Sequence, residues 1–139
     1  MYFCCLKKDM KSKLKAVTEF HTAFGLGVKQ QPTTELTPET INLRFKLMAE
    51  ENQEYLEAAR NNDMVEVADA LGDMLYILCG TIIEHGMQYK IDQIFSEIHR
   101  SNMSKLDADG KPIYREDGKV MKSTRYFPPN IAEVLKSTD

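Results

Sequence analysis

Apolar positions along this chain recur with the period of a helix. Met10, Leu14, Val17, His21 and Phe24 follow a 4, 3, 4, 3 spacing on one helix face, and Gly25 supplies a C-terminal stop. After a polar connector from Gly27 to Glu35, Thr37 predicts an N-cap, Pro38 the first helical position and Glu39 an acid that suits the helix dipole. That second helix is expected to run to about Arg60, with Asn61 and Asn62 as the break. The third, about Asp63 to Glu84, carries Met64, Val65, Val67, Leu71, Leu75, Ile77, Leu78, Ile82 and Ile83 almost all round its wheel. Such a helix is expected to be buried on most sides, and Gly86 ends it. A fourth begins near Ile91, with Ile94, Phe95 and Ile98 in one narrow stripe before Asn102.

Beyond Leu106 the helical period is lost. Asp109-Gly110 and Asp117-Gly118 are turn dipeptides on either side of Ile113-Tyr114, which predicts a loop or small hairpin. Phe127-Pro128-Pro129 stops regular structure, and Ile131 to Lys136 predicts a short last helix. The expected fold is all-α: a four- to five-helix bundle with an irregular, loop-rich C-terminal arm. It forms a single domain over 1–139, with a helical core at about 10–105 and the arm at about 106–139. The fourth helix is thinly apolar and the third needs neighbours on every side, so oligomerisation, as a homodimer or homotetramer, is expected to complete the bundle.

Composition narrows the function classes. The chain has 139 residues, and 18 Lys and Arg against 21 Asp and Glu give a net charge of -3, which argues against a nucleic-acid polymer as partner. The longest uncharged run, Met74 to Ile83, is ten residues, about half of the ~20 that span a bilayer. No membrane span and no signal peptide are expected, and the chain reads as cytoplasmic. Cys4, Cys5 and Cys79 form no zinc-type pair and are expected to be reduced thiols. Asp107, Asp109 and Gly110 have the start of a calcium loop, but Lys111 stands at a ligand position and excludes an EF-hand.

The near-neutral total hides a separation. Eight acids (Glu50, Glu51, Glu54, Glu57, Asp63, Glu66, Asp69, Asp73) lie between Leu47 and Asp73, with Arg60 the one base among them. Seven bases (Arg100, Lys105, Lys111, Arg115, Lys119, Lys122, Arg125) lie between 100 and 125. At 100° per residue Glu51 projects among Leu47, Met48, Tyr55 and Ala58, the face that should turn to the core, and Glu54 sits at its edge. On the third helix Glu66, Asp69 and Asp73 share a stripe about 60° wide. Solvent exposure is the commonest state of a helical Glu. Here two consecutive helices, joined by a short link, each carry an acidic pair at i, i+3. Carboxylates gathered in a partly buried place repel unless protonated or neutralised. All-oxygen ligands select hard ions, so Mg²⁺ is expected and Mn²⁺ is compatible.

The string Ala49-Glu50-Glu51-Asn52-Gln53-Glu54-Tyr55, followed by Glu66-Val67-Ala68-Asp69, resembles the EExxE and ExxD signature of the all-α nucleoside triphosphate pyrophosphohydrolases. Within that superfamily Ala68-Asp69-Ala70-Leu71-Gly72-Asp73 and Arg100-Ser101-Asn102-Met103-Ser104-Lys105 are similar to segments of the MazG-like and phosphoribosyl-ATP pyrophosphohydrolase-like group. The resemblance implies hydrolysis of a nucleotide between its α and β phosphates, giving a nucleoside monophosphate and pyrophosphate. It also implies Glu51, Glu54, Glu66 and Asp69 as Mg²⁺ ligands, and Glu50 as a further ligand or the group that orients water. Asn102 and Lys105 would touch phosphate or sugar, Lys122 or Arg125 would close over it, and Asp73 would be an accessory ligand or a partner of Lys105. Phe20, His21 and Phe24 would flank a base, core packing being the commoner role of the two phenylalanines. Phosphoribosyl-ATP hydrolysis in histidine biosynthesis is the alternative reaction. A non-catalytic helical nucleotide-sensing or oligomerisation module is the alternative class.

Overall fold

Most of the helices begin where a short polar side chain takes up an orphan backbone amide. In the computed structural model, which describes residues 9–138, Asp9 accepts from the Ser12 amide at the start of α1 (Met10–Ala23). Thr37 accepts from Thr40 ahead of α2 (Pro38–Arg60), and Asp63 from Glu66 ahead of α3 (Met64–Glu84). α4 (Ile91–Met103) starts without such a cap, while α5 (Ile131–Lys136) takes Asn130. Each cap contributes about 1 kcal/mol. The stops are as local: Gly25 and Gly86 turn at φ +70 and +69, a region open to glycine, and Asn62 at φ 54 separates α2 from α3. Among the described residues the structure is five helices with no strand, and the expected hairpin is a single antiparallel bridge, Tyr114 to Val120. No helix among them is long and apolar enough to cross a membrane. Cys4 and Cys5 lie outside the described residues; Cys79 is a free, buried thiol.

The chain divides into two compact units, the first ending at Tyr89 and the second beginning at Lys90. The expected division set the arm off after α4. Instead α4 groups with the arm, because serines in its last turn bind the arm's backbone. Ser101 Oγ donates to the Phe127 carbonyl at 2.8 Å, and the Phe127 amide donates to Ser104 Oγ at 3.1 Å. Ser123 Oγ donates to the carbonyls of Leu106 at 2.7 Å and Ser104 at 3.1 Å. The Arg100 guanidinium lies 4.3 Å from the centre of the Phe127 ring.

In the first unit α2 and α3 pack along their length and α1 packs on α3. Leu14, Val17, Ala58, Ala70, Cys79, Ile82 and Ile83 are the buried apolar residues. The seam between α2 and α3 is fixed at one end by a buried arginine. Arg44 donates through Nε to Thr81 Oγ1 at 3.0 Å and through Nη2 to the Ile77 carbonyl at 2.6 Å. Room for it comes from Gly80, where a Cβ would lie 2.5 Å from Arg44 Nη2 and 2.7 Å from His21 Nε2. Filling that space would overpack the seam at about 1–3 kcal/mol. Glu84, also buried, accepts from the Gly27 amide at 3.1 Å and so ties the α1–α2 connector to α3.

One expectation about α3 fails. Its apolar residues call for burial on most sides, yet Met64, Leu71, Leu75 and Leu78 are 76%, 50%, 39% and 44% exposed. At 100° per residue these four cluster on the face opposite Asp69 and Asp73. α2 and α1 occupy the other sides.

In the second unit one carboxylate ties α4 to the start of α5. Glu97 accepts from Arg100 at 2.8 and 3.0 Å and from the Asn130 amide at 2.9 Å, and these donors hold its carboxyl down at about 2. Because the folded value lies below the ordinary 4.5, the stabilisation is complete above pH 4.5 and lost as pH falls toward 2. The Asn130 amide resonance should therefore move, and exchange protection of α5 should fall, across that acid window. Glu97→Gln should show the weakened arm already at neutral pH, without a further transition between those limits. A variant with the wild-type acid profile would contradict this role.

Candidate active site

The Arg44 contacts set the register of the seam. Two turns on from Arg44 along α2 is Glu51, and the same seven residues back along antiparallel α3 from Ile77 and Thr81 lead to Ala70 and Met74, beside Asp69 and Asp73. The spacing that puts Arg44 and Glu51 on one face of α2 thus aims Glu51 at the acidic stripe of α3. Glu51 is partly buried, and its Oε2 is sealed from solvent with no hydrogen-bond partner among the described residues.

The charges acting on Glu51 have one sign. Burial pushes its carboxyl above the ordinary value, and Glu54, by charge and by a hydrogen bond, then Asp73 and Asp69, push it the same way. A carboxylate with one oxygen sealed from water and with carboxylates for neighbours is an unfinished arrangement. It calls for a proton or a cation.

Of the expected site residues, the structure brings Glu54, Asp69 and Asp73 near enough to act on Glu51. Glu66 is exposed in the first turn of α3, its amide bonded to Asp63, and it is not among the groups that act on Glu51. Glu50 is exposed, on the outer side of α2. Among the described residues no three His, Cys, Asp or Glu side chains are gathered closely enough to hold one ion as they stand. The donor set does fit a hard divalent cation: all ligands are oxygen, one oxygen is orphaned, and the neighbouring charges are negative. Rotation of exposed Glu54, Asp69 and Glu66 side chains is what such an ion would require.

His21 is corrected. It is 2% exposed, and its Nδ1 donates to the Gly27 carbonyl at 2.9 Å, with Glu84 Oε1 at 3.9 Å. A ring so enclosed cannot flank a substrate base; it is a core histidine that fastens the connector. Its neighbours go the other way, with Phe20 39% and Phe24 69% exposed, against the expectation of core packing.

Asn102, Lys105, Lys122 and Arg125 belong to the second unit. Asn102 is exposed near the end of α4, and Lys105 is partly buried. Lys122 Nζ lies 4.6 Å from the Tyr126 ring centre, a cation–π contact. Arg125 lines an open cleft of about 620 Å³ with Met103, Ser104, Leu106, Asp107 and Phe127.

Sequence reasoning missed the clamp of Arg44, Gly80 and Glu84. Its signal was present. Arg44 lies seven residues before Glu51, and Gly80 and Glu84 continue the α3 stripe of Asp69 and Asp73 at i+7 and i+11 from Asp73.

An uncharacterized protein of Acanthamoeba polyphaga mimivirus is 28% identical over 136 residues, which take in 94% of this chain and 49% of the relative. The chain thus spans about half the length of the curated relative it matches. The family profile for phosphoribosyl-ATP pyrophosphohydrolase matches residues 17–102, from within α1 to the end of α4, and includes every carboxylate of the seam. By that match over more than half its length the chain belongs to the phosphoribosyl-ATP pyrophosphohydrolase family, a family of nucleotide pyrophosphohydrolases.

Proposed function

We propose that this protein hydrolyses a nucleoside triphosphate, or a related nucleotide, between its α and β phosphates, with Mg²⁺ as cofactor and Mn²⁺ as a possible substitute. The observation that carries the proposal is Glu51: an orphaned carboxylate oxygen on the α2–α3 seam, with acids as its charged neighbours. A divalent cation bound there would supply charge neutralisation on the phosphates and a more acidic water. The chain's own residues do the rest. Glu51, Glu54 and Asp69 hold the cation, with Glu66 from the first turn of α3 and Asp73 as an accessory group. Glu50, next to Glu51 and free to reach solvent, orients the attacking water. For Asn102, Lys105, Lys122 and Arg125 the proposed role is a grip on phosphate or sugar, carried by their donors and by the family resemblance.

Association belongs to the same proposal. The exposed Met64, Leu71, Leu75 and Leu78 face lies on the side of α3 away from the acids, so a second copy could cover it without closing the site. We propose a homodimer or homotetramer. Leu71→Glu combined with Leu75→Glu should reduce the mass measured by light scattering to that of one chain. A wild-type protein that is itself monomeric would rule this out.

The activity test is pyrophosphate release with Mg²⁺ or Mn²⁺ across a panel of ribo- and deoxynucleoside triphosphates and phosphoribosyl-ATP. At least one should be turned over, and Glu51→Gln or Asp69→Asn should lower kcat/KM by at least about 100-fold with the helical fold intact. Turnover of phosphoribosyl-ATP alone would favour the histidine-biosynthesis reaction. Tight binding of metal and nucleotide without product would favour a sensing module.

Glu51 also links function to stability. An acid held above its ordinary value in the folded state destabilises that state once the pH passes the unfolded value. At neutral pH and without divalent cation, Glu51→Gln should therefore melt a few degrees higher than wild type. Added Mg²⁺ should raise the wild-type melting temperature and leave that of the variant nearly unchanged. A variant less stable than wild type in the absence of metal would overturn the assignment of Glu51 as a carboxylate whose charge its surroundings disfavour.

A further inference from the structure

Arg44 is an expensive residue for the place it occupies. A buried guanidinium has lost its hydration, and an apolar side chain of similar volume would fill a helix seam without that loss. Its companion is unfavourable too. Gly80 lies within α3, where glycine is a poorer helix former than alanine, and a Cβ there would stand 2.5 Å from Arg44 Nη2. Measured against an apolar filling of the same space, the pair gains little in stability.

What the pair supplies is direction. Arg44 Nε donates to Thr81 Oγ1 at 3.0 Å and Arg44 Nη2 to the Ile77 carbonyl at 2.6 Å, while Thr81 Oγ1 itself donates to that carbonyl at 3.1 Å. The three groups close a ring, in which one flat edge of the guanidinium meets two acceptors a helical turn apart on α3. Attachment at two points fixes the rotation of α2 as well as its distance, which the point charge of a lysine does not do. Toward Glu51 the contacts between the helices are more adaptable. Ala58 and Ala70 are buried there, and half-buried Met48 and Met74 fall on the same faces at 100° per residue. Methionine fits many shapes. Alanine and methionine therefore join the two helices without selecting their phase, and the guanidinium selects it.

We propose that Arg44 is a positioning residue for the cation site: held by Ile77 and Thr81 in the space that Gly80 leaves, it locks the phase of α2 against α3 and so keeps Glu51 aimed at Asp69 and Asp73. The inference rests on the proposed reading of those acids as a cation site and adds to it a residue that touches neither cation nor substrate. Its action is mechanical rather than electrostatic. Arg44 lies roughly 10 Å from Glu51 along the helix axis, and it is not among the groups whose charge acts on Glu51. A variant that keeps the positive charge and loses the two-point attachment should therefore lose the effect.

Binding of Mn²⁺ alone, without nucleotide, tests this apart from turnover; the free ion is followed by electron paramagnetic resonance, and circular dichroism checks that each variant keeps its helices. Wild type should bind, and Glu51→Gln should not. Arg44→Lys should weaken binding about 10-fold, the lower end of what removing a group that supports metal ligands brings about. Arg44→Gln stands in for it should a buried ammonium unfold the chain. Val17→Ala, which removes a buried side chain on α1 and leaves the Arg44 ring intact, should lower the melting temperature and leave Mn²⁺ affinity unchanged. Gly80→Ala should weaken binding in the wild-type background and add little to Arg44→Ala, where the guanidinium that its Cβ would displace is gone. Wild-type affinity in Arg44→Lys or Arg44→Gln overturns the proposal, as does an equal loss in Val17→Ala or an equal effect of Gly80→Ala in both backgrounds. If Glu51→Gln loses Mn²⁺ while Arg44→Lys retains it, the cation site stands and the role of Arg44 fails. If wild type binds no Mn²⁺, or Glu51→Gln binds as wild type does, the cation site fails and this proposal fails with it.

Discussion

The first unit is organised by a seam between α2 and α3 in which one end is satisfied and the other is not. At the satisfied end Arg44 bonds Thr81 and Ile77 within a space that Gly80 leaves open, and Glu84 supplies the opposite charge that opposes the effect of burial on the guanidinium. Two turns away, Glu51 meets acids and has an oxygen without a partner. The same antiparallel register produces both. Were α3 rotated by one residue, about 100°, Arg44 would lose its partners and the acids would leave Glu51 together.

α3 divides its surface by angle. One stripe runs Glu66, Asp69, Asp73, Gly80, Glu84, changing from charge open to solvent at its start to a buried polar clamp at its end. The opposite face carries Leu71, Leu75 and Leu78, exposed in a single chain. Tyr76 lies on the flank turned to α1. A helix with apolar residues nearly all round is commonly taken as one meant for the interior. Here the same composition serves two sides that pack within the chain and one that does not.

The hydrophobic period and the capping residues made most of the fold legible. Thr37 and Pro38 mark a helix start that the structure keeps to the residue, because a cap depends on three or four consecutive positions and little else. Glu51 was legible for a similar reason, since a charge amid Leu47, Met48 and Tyr55 is out of place on any helix wheel. The role of His21 was not. It shares a face with Leu14 and Val17, and its partners, the Gly27 carbonyl and Glu84, come from a turn and from a residue 63 positions on. Grouping α4 with the arm escaped notice as well, because it rests on serine hydroxyls reaching backbone carbonyls, a pattern with no periodicity. What periodicity reports is which face is apolar; what it leaves out is how polar side chains close on one another over distance.

Why the unfavourable end of the seam survives folding follows from magnitudes. A hydrogen bond from a charged group contributes about 1.5–3 kcal/mol, and Arg44 makes two within the seam. The caps of α1, α2 and α3 add about 1 kcal/mol each. Against these stands one carboxyl group that protonation relieves when no cation is present. The clamp can therefore hold α2 and α3 in register whether or not the acids are neutralised. Exposed Glu54, Asp69 and Glu66 keep their rotamer freedom, while Glu51 sits partly buried on the seam. On the proposed reading, a partly buried carboxylate with mobile companions suits a cation that enters and leaves with a phosphate chain.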